Sequence, residues 1–387
     1  MNVSVKPGPA TKLGNDIEPG IAAVLDRRMA ERAKPPYKPK TDGEIATILA
    51  SYFAKAPSSR LMNVKRMGGG ASKEQFVFEL EGGDLAGRYV LRMDPRGTAV
   101  ETDRRREFEA LKAFEGIVPA PSVCWLDHDG SELGQPAAIM KFVGGVTKPQ
   151  SIQTTKVSGL GTVLGPQLRE LLGPQFVDHL VAIHKLDCRA DNLPSYQIPN
   201  ADPYQAARWQ VNWWSRVWNE DKVASVPVAA LTQTWLEENL PAASELVFVH
   251  GDYRTGNYLF DEASGKITAI LDWELAHVGD YHEDLAWVLQ RIFGTSEDDK
   301  FFVNGLFERQ EFLDRYEQAS GRRVDRKTLH FYEVLTAFKC LALCLGTSVK
   351  VASNSHNHQD ALLTWLAAAG HMFHAELCTL LEKDIAA

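Results

Sequence analysis

Residues 246–285 read LVFVHGDYRTGNYLFDEASGKITAILDWELAHVGDYHEDL, and two short runs inside this stretch, LVFV and ITAIL, decide the fold. Both are apolar and rich in branched residues, the pattern of buried strands, and each ends at an acidic group. The first delivers His250-Gly251-Asp252, with Asn257 five residues on; the second delivers Asp272-Trp273-Glu274. Segments 257–261 and 266–271 predict a hairpin that turns through 262–265. Folding it brings Asp252, Asn257 and Asp272 to one end of a small sheet. An aspartate on a loop can take a proton from an attacking hydroxyl, or orient it. The asparagine oxygen and the second carboxylate are hard ligands of the kind Mg²⁺ prefers. Phosphoryl transfer asks little covalent chemistry of a protein; it asks for positioning and for neutralised phosphate charge. His250 and Asp252 alone would equally describe a structural strand end. Asn257 at its spacing, and Asp272 after a second apolar strand, lift the pattern above that.

Outward from this stretch the chain divides. Residues 167–186, 203–220 and 231–240 upstream, and 281–293, 308–320, 327–349 and 359–381 downstream, predict helices. Between 61 and 142 the pattern is strand-rich, with 75–80 (QFVFEL), 88–93 (RYVLRM), 122–125 and 137–142 (AAIMKF) separated by turns such as Gly82-Gly83. Residues 102–114 (TDRRREFEALKAF) have helical spacing, with Phe108, Leu111 and Phe114 on one face and the basic run on the other. Thr41 predicts the N-cap of a helix over 42–56. Residues 1–40 are rich in proline and charge, with one short helix expected at 21–33. The fold class is therefore α+β and two-lobed. An arm over 1–40 precedes a small antiparallel-sheet lobe with one helix, 41–143, and a large mainly helical lobe, 144–387, with Gly144-Gly145 at the junction.

HGDYRTGN followed by ILDWE resembles the paired motifs of the aminoglycoside phosphotransferase and choline kinase-like family, and in logic the H-R-D-x-x-x-x-N and D-F-G pair of protein kinases. The resemblance extends through GDYHEDLAW and DRYEQASGR, over roughly residues 45–370, and leaves the arm uncovered. It implies a protein-kinase-like fold with a nucleotide-binding small lobe and a catalytic, acceptor-binding helical lobe. It implies Asp252 as catalytic base, Asn257 and Asp272 as Mg²⁺ ligands, and ATP as phosphate donor. His250 is then a loop anchor. Glu274 and Asp280 are expected to stabilise the loop, with Glu274 an alternative metal contact.

The same resemblance asks the small lobe for phosphate donors. Gly68, Gly69 and Gly70 would let backbone N–H groups approach phosphates, with the Ser72 hydroxyl as a further donor; a plain hairpin turn is the other reading. The position that carries a lysine in protein kinases falls on Arg92, whose planar fork can grip phosphate oxygens. Its expected helix partner is Glu107 rather than Glu109, though both could be surface charges that balance residues 104–106. The strand ending at Met140, Lys141 and Phe142 matches the hinge, so backbone near Met140 and Phe142 is expected to read the purine.

Composition narrows the rest. Of 387 residues, 44% are hydrophobic and 24% charged, as in an ordinary folded protein, and 42 Lys+Arg against 50 Asp+Glu give a net charge of −8. That balance lacks the basic footprint of a nucleic-acid binder. The first residues hold no apolar signal region, no apolar run approaches the ~20 residues of a membrane span, and five scattered cysteines fit reduced thiols, so a cytoplasmic location without membrane partner is expected. The expected activity is ATP-dependent transfer of phosphate to a small-molecule alcohol. A non-catalytic nucleotide- or ligand-binding protein on the same fold is the alternative. Trp209, Trp213, Trp214 and Trp218 share a helix face, as a core seam or as an apolar wall for substrate. The polar stretch 350–360 (KVASNSHNHQD), with His356 and His358, reads as a solvated loop near the acceptor cleft. The later part of the chain resembles the subgroup found with acyl-CoA dehydrogenases, which implies a hydroxyacyl-CoA-type acceptor, with an aminoglycoside-like one as the other class.

Overall fold

The computed structural model describes residues 16–55, 58–68, 70, 72–150, 160–189 and 193–385. The small lobe is built on a five-stranded antiparallel sheet of order β1-β2-β3-β5-β4: β1 (Arg60–Arg66), β2 (Glu74–Glu81), β3 (Gly87–Met93), β4 (Val123–Asp127) and β5 (Ala137–Lys141). Strand β2 alternates buried and half-buried residues, and its Phe76, Phe78 and Leu80 meet Ile45 and Leu49 of α2 (Asp42–Tyr52) in a separate small core. Thr41 caps α2 in a full capping box: its hydroxyl accepts from the Glu44 N–H at 3.2 Å while the Glu44 carboxylate accepts from the Thr41 N–H at 2.7 Å.

The helical lobe holds α4 (Gly165–His184), α5 (Gln205–Asp221), α6 (Pro227–Glu238), α7 (His282–Val288), α8 (Arg309–Ser320), α9 (Arg326–Leu341), α10 (Val349–Ser353) and α11 (Asp360–Ile385). Three two-stranded ribbons interrupt them. β6 (Val247–Val249) pairs with β9 (His277–Gly279), β7 (Tyr258–Asp261) forms the expected hairpin with β8 (Lys266–Ile270), and β10 (Thr295–Glu297) pairs with β11 (Lys300–Phe302). Between α9 and α10 a π-helical turn, Ala342–Ser348, breaks the predicted single helix. The run Arg326–Ser353 has the length and composition of a membrane span, contrary to the sequence expectation, but 78% of its most apolar window is buried inside the protein as core helix. All four tryptophans of α5 are buried, with Trp213 and Trp214 stacked at 5.0 Å, so that face is a core seam.

The lobes meet at more than a hinge. Val146 and Phe260 exchange backbone hydrogen bonds at 2.9 and 3.0 Å, stitching the linker to the β7–β8 hairpin. Gly145 makes this approach possible, because a Cβ there would sit 2.8 Å from Thr268 Oγ1 and its φ is +144°. The small-lobe helix α3 (Arg104–Ala113) packs its Ala110, Leu111 and adjoining Phe114 into the core of the helical lobe, where Phe114 stacks on Trp273 at 4.5 Å. Two sequence expectations fail here. Arg104 and Arg106 are buried rather than solvent-facing. The segment around His356 is not a solvated loop: His356 and Asn357 are buried, Gly97 N–H donates to the His356 carbonyl at 2.9 Å, and Gln359 Nε2 donates to the Gly70 carbonyl at 2.9 Å. A periodicity reading assigns polar runs to solvent, and here the polar partners come from the other lobe.

The arm forms α1 (Pro19–Arg32), which lies along α5. Asp16 accepts hydrogen bonds from Trp209 Nε1 at 2.7 Å and Arg208 Nε at 2.8 Å.

Candidate active site

Asp252, Asn257 and Asp272 converge at the end of the β7–β8 hairpin. The loop between β6 and β7 is tight: a Cβ on Gly251 would come within 2.6 Å of the Leu275 carbonyl, and φ is +82°. His250 is fully buried, accepts from the Asp252 N–H at 3.2 Å and donates from Nε2 to the Leu271 carbonyl at 3.1 Å. Those contacts define a neutral ring, and burial, the dominant influence, holds its pKa below the usual 6.5. It anchors the loop.

The Asp252 side chain keeps 14% of its surface exposed. Two donors, Arg254 Nε and Trp287 Nε1, converge on its Oδ1, each at 2.8 Å. Both of these side-chain donors are on Oδ1 and neither is on Oδ2. Burial pushes the carboxyl above its usual 3.8, Arg254 pulls it back, and Asp272 adds to the rise. Asn257 donates from Nδ2 to the Asp252 carbonyl at 3.0 Å, which commits its amide oxygen to the acceptor role. Asp272 sits in the left-handed region at φ +64°, a conformation that costs about 1–2 kcal/mol for a residue with a side chain. Its Oδ1 accepts from Arg92 Nη2 at 2.7 Å. Burial raises the Asp272 carboxyl, but Arg92 outweighs it and holds the group below its usual range.

From β3, Arg92 joins the lobes: Nη1 is 2.7 Å from Glu107 Oε1 while Nη2 meets Asp272. Glu107 also pairs with Arg104. Glu109 faces elsewhere, accepting from the Ser195 N–H at 2.9 Å and the Ser195 hydroxyl at 2.8 Å. Lys73, which the sequence reading passes over, is buried against Asp94 at 3.1 Å and Glu274 at 3.5 Å. Burial, partly offset by Lys73, pushes Glu274 up to about 7. Asp280 does not face this cluster; it accepts from the His282 backbone at 2.9 Å at the start of α7.

The remaining nucleotide-side expectations divide. Gly68 faces open space, Ser72 is half-buried beside Lys73, and Gly69 lies outside the described residues. Met140 sits between β3 and β4 with a buried side chain. The Phe142 N–H is spent on the Arg88 carbonyl at 2.9 Å, so that donor is not available to read a purine, and the Arg88 guanidinium lies 3.9 Å over its ring. The pattern places Phe142 at the end of this strand, and the ladder to β3 reaches it, so its N–H is paired within the sheet.

Behind the loop, Asp284 accepts from the His250 and Gly251 N–H groups, both at 2.8 Å, and contacts His184 Nε2 at 3.1 Å. One turn on, Trp287 reaches Asp252, so α7 grips the loop from behind and its carboxylate from the side. Neither role is read from the sequence, although both residues stand in the quoted GDYHEDLAW, and Arg254 stands inside HGDYRTGN.

Among the described residues no cluster of three or more His, Cys, Asp or Glu side chains forms a metal cage. One amide oxygen and one carboxylate suit Mg²⁺, which commonly takes one or two protein carboxylates and completes its shell with phosphates and water. The donor set fits that ion.

Residues 63–332 match the phosphotransferase enzyme family (APH), and the chain belongs to it. Acyl-CoA dehydrogenase family member 11 of Gallus gallus is 26% identical over 327 residues, which cover 80% of this chain and 40% of that protein, so the chain spans well under half of that relative. Macrolide 2'-phosphotransferase type I shares the fold at TM-score 0.55 and 20% identity, with 84% of this chain and 96% of that one covered. A thermostable mutant of aminoglycoside phosphotransferase APH(4)-Ia, solved with ADP and hygromycin B, gives TM-score 0.52 at 14% identity over 86% and 98% of the two chains. The two-lobed kinase-like architecture is therefore shared.

Proposed function

We propose that the protein transfers the γ-phosphate of ATP to a hydroxyl of a small-molecule acceptor. The observation that supports this reading is the Arg92 fork, which sets a guanidinium from one lobe against Asp272, beside Asp252 and Asn257 of the other. Asp252 Oδ2 takes the proton of the acceptor hydroxyl as its oxygen bonds to the γ-phosphorus; the bond from that phosphorus to the bridging oxygen breaks and ADP leaves. Arg254 and Trp287 hold the other carboxylate oxygen, fixing the direction from which the proton is taken. Asn257 and Asp272 would hold Mg²⁺, which supplies neutralisation of phosphate charge when bound.

For the acceptor, the surroundings of Asp252 favour an anionic or apolar molecule over a polycation. Arg254 lies 4.9 Å over Phe293, and Trp287 packs on Phe293 at 5.8 Å. A hydroxylated acyl-CoA fits a cation beside aromatics, and the Gallus gallus relative's name points to acyl-CoA as well. Aminoglycoside-like acceptors are the second class, the one the APH(4)-Ia complex contains. The test is an ADP-release screen over hydroxyacyl-CoAs, aminoglycosides, choline-like alcohols and sugars, with and without Mg²⁺. Acceptor-dependent turnover lost on chelation and in Asp252→Ala is expected. Full acceptor-dependent turnover in Asp252→Ala would refute the assignment, and MgATP binding without transfer to any acceptor would favour a non-catalytic binder.

A further inference from the structure

The segment before residue 63 lies outside the family match, yet it reaches the nucleotide side of the site. We infer that Glu18 of this arm is a positioning residue that, through Arg106, holds α3 and with it the Glu107–Arg92 pair. The inference rests on the reading of Arg92 as the phosphate grip.

Arg106 is the neighbour of Glu107 on α3, and both are buried. Its guanidinium meets Glu18 side-on, Nη1 to Oε1 at 2.5 Å and Nη2 to Oε2 at 3.1 Å. The same two nitrogens donate to the carbonyls of Ser195 at 2.6 Å and Ala276 at 3.2 Å. Ala276 closes the Asp272-Trp273-Glu274 segment, so one buried side chain ties the arm, α3 and the candidate metal loop together. Among the described residues Glu18 is the carboxylate paired with this arginine. Glu18 is itself fixed by the Gln197 N–H at 3.2 Å, while Gln197 Oε1 accepts from the Gly20 N–H at 3.1 Å.

Further along, the arm makes a second attachment. Arg32 pairs with Glu101, three residues before α3, at 2.5 Å and with Asp221 at the end of α5. Arg28 reaches the same two carboxylates at 3.5 and 3.3 Å. The arm therefore runs from α5 to both the approach and the body of α3. A buried charge left without its partner drives local rearrangement, because the low-dielectric interior offers no water in exchange. Neutralising Glu18 leaves Arg106 in that position, one residue from Glu107. The Arg92 fork is then loosened on its small-lobe side, where Arg104 remains as the second group that pairs with Glu107.

The experiment uses the full chain carrying Glu18→Gln, Glu18→Asp or, as a control on the exposed side of α1, Asp26→Asn, whose side chain pairs with Arg216 of α5. Amide hydrogen exchange over residues 104–113 and the MgATP dissociation constant are measured together, with the unfolding midpoint alongside. Glu18→Gln is expected to speed α3 exchange and weaken MgATP about tenfold. Glu18→Asp, which keeps the charge, recovers part of both, and Asp26→Asn matches wild type. Unchanged α3 exchange in Glu18→Gln, or faster exchange with wild-type MgATP affinity, overturns the inference. If Glu18→Gln does not fold, Glu18→Asp decides by the same two readouts. Absence of MgATP binding in the wild type would instead sink the proposed function, and the exchange data would still show whether the arm holds α3.

Discussion

Replacing Trp287 by Phe isolates one hydrogen bond at Asp252, the proposed base. The indole N–H and Arg254 both hold Asp252 Oδ1 at 2.8 Å, and Phe keeps an aromatic ring against Phe293 while removing the N–H. A hydrogen bond to a charged group contributes about 1.5–3 kcal/mol. With Arg254 still in place the carboxylate is loosened, not released, so a kcat loss of about 10- to 100-fold is expected, equivalent to about 1.4–2.7 kcal/mol of barrier. The KM for MgATP should stay within about twofold, since Arg92, Asn257 and Asp272 keep every contact. The smaller ring beneath Lys339, whose Nζ lies 5.5 Å from the indole, costs stability by cavity formation, on the order of 1–3 kcal/mol. Steady-state ADP release with the acceptor found by the screen separates the two effects. A lowered unfolding midpoint with unchanged kcat would show that Trp287 is a packing residue and that Arg254 alone sets the base.

Asp284→Asn turns an acceptor pair into an amide whose NH₂ must face the His250 or Gly251 N–H; a loss of about 1–3 kcal/mol in urea unfolding and a fall in kcat larger than any change in KM are expected. Arg92→Lys keeps one charge but cannot bridge Glu107 and Asp272 together, so MgATP should bind about tenfold more weakly by calorimetry, and unaltered affinity would remove Arg92 from the phosphate site. The buried Glu283 carboxyl, raised by burial but pulled harder by Lys339 and His277, lies at about 2, so its contribution is present above pH 4.5 and is lost as pH falls from there toward 2. His277 is raised above 6.5, burial notwithstanding, by Glu283, so its contribution is full below pH 6.5 and lost as pH rises through the higher folded value. Thermal midpoints followed across pH should show both limbs in the wild type and flatten in Glu283→Gln.

What the sequence makes legible follows distance along the chain. Asp252, Asn257 and Asp272 lie within 21 residues and are joined by one hairpin, so local pattern suffices to bring them together. Asp284 and Trp287 act on groups 33 to 35 residues earlier, and nothing in local periodicity links a helix residue to a backbone N–H that far away. The arm is the extreme case: Glu18 finds Arg106 across 88 positions and Arg32 finds Asp221 across 189. For the same reason Arg104 and Arg106 of α3 read as part of a solvated face, since Asp94 and Glu18, which pair with them, lie outside their helix. Strand β1 falls within the strand-rich region but takes no bounds from the pattern, because RLMNVKR is exposed or half-buried throughout and its Leu61, Met62 and Val64 do not alternate cleanly.

The charges around the Arg92 fork set what the proposed nucleotide and divalent cation would each have to do there. Lys73, Arg92 and Arg104 face Asp94, Glu107, Asp272 and Glu274, three cations against four carboxylates, each paired within the cluster. Glu274, pushed up to about 7, relieves part of that excess near neutral pH. Even so, no cation in the cluster is spare for a triphosphate. Arg92 already has both terminal nitrogens against carboxylates, so gripping a phosphate oxygen means loosening Asp272. Released alone, Asp272 would be a buried carboxylate facing a polyanion, a costly arrangement in a low-dielectric cleft. Asn257 and Asp272 would hold a divalent cation in the proposed reaction, and its charge would offset that repulsion and leave the Arg92 guanidinium available to phosphate. The left-handed backbone at Asp272 aims its carboxylate at Arg92 across the lobe boundary, the position that the proposed metal role requires.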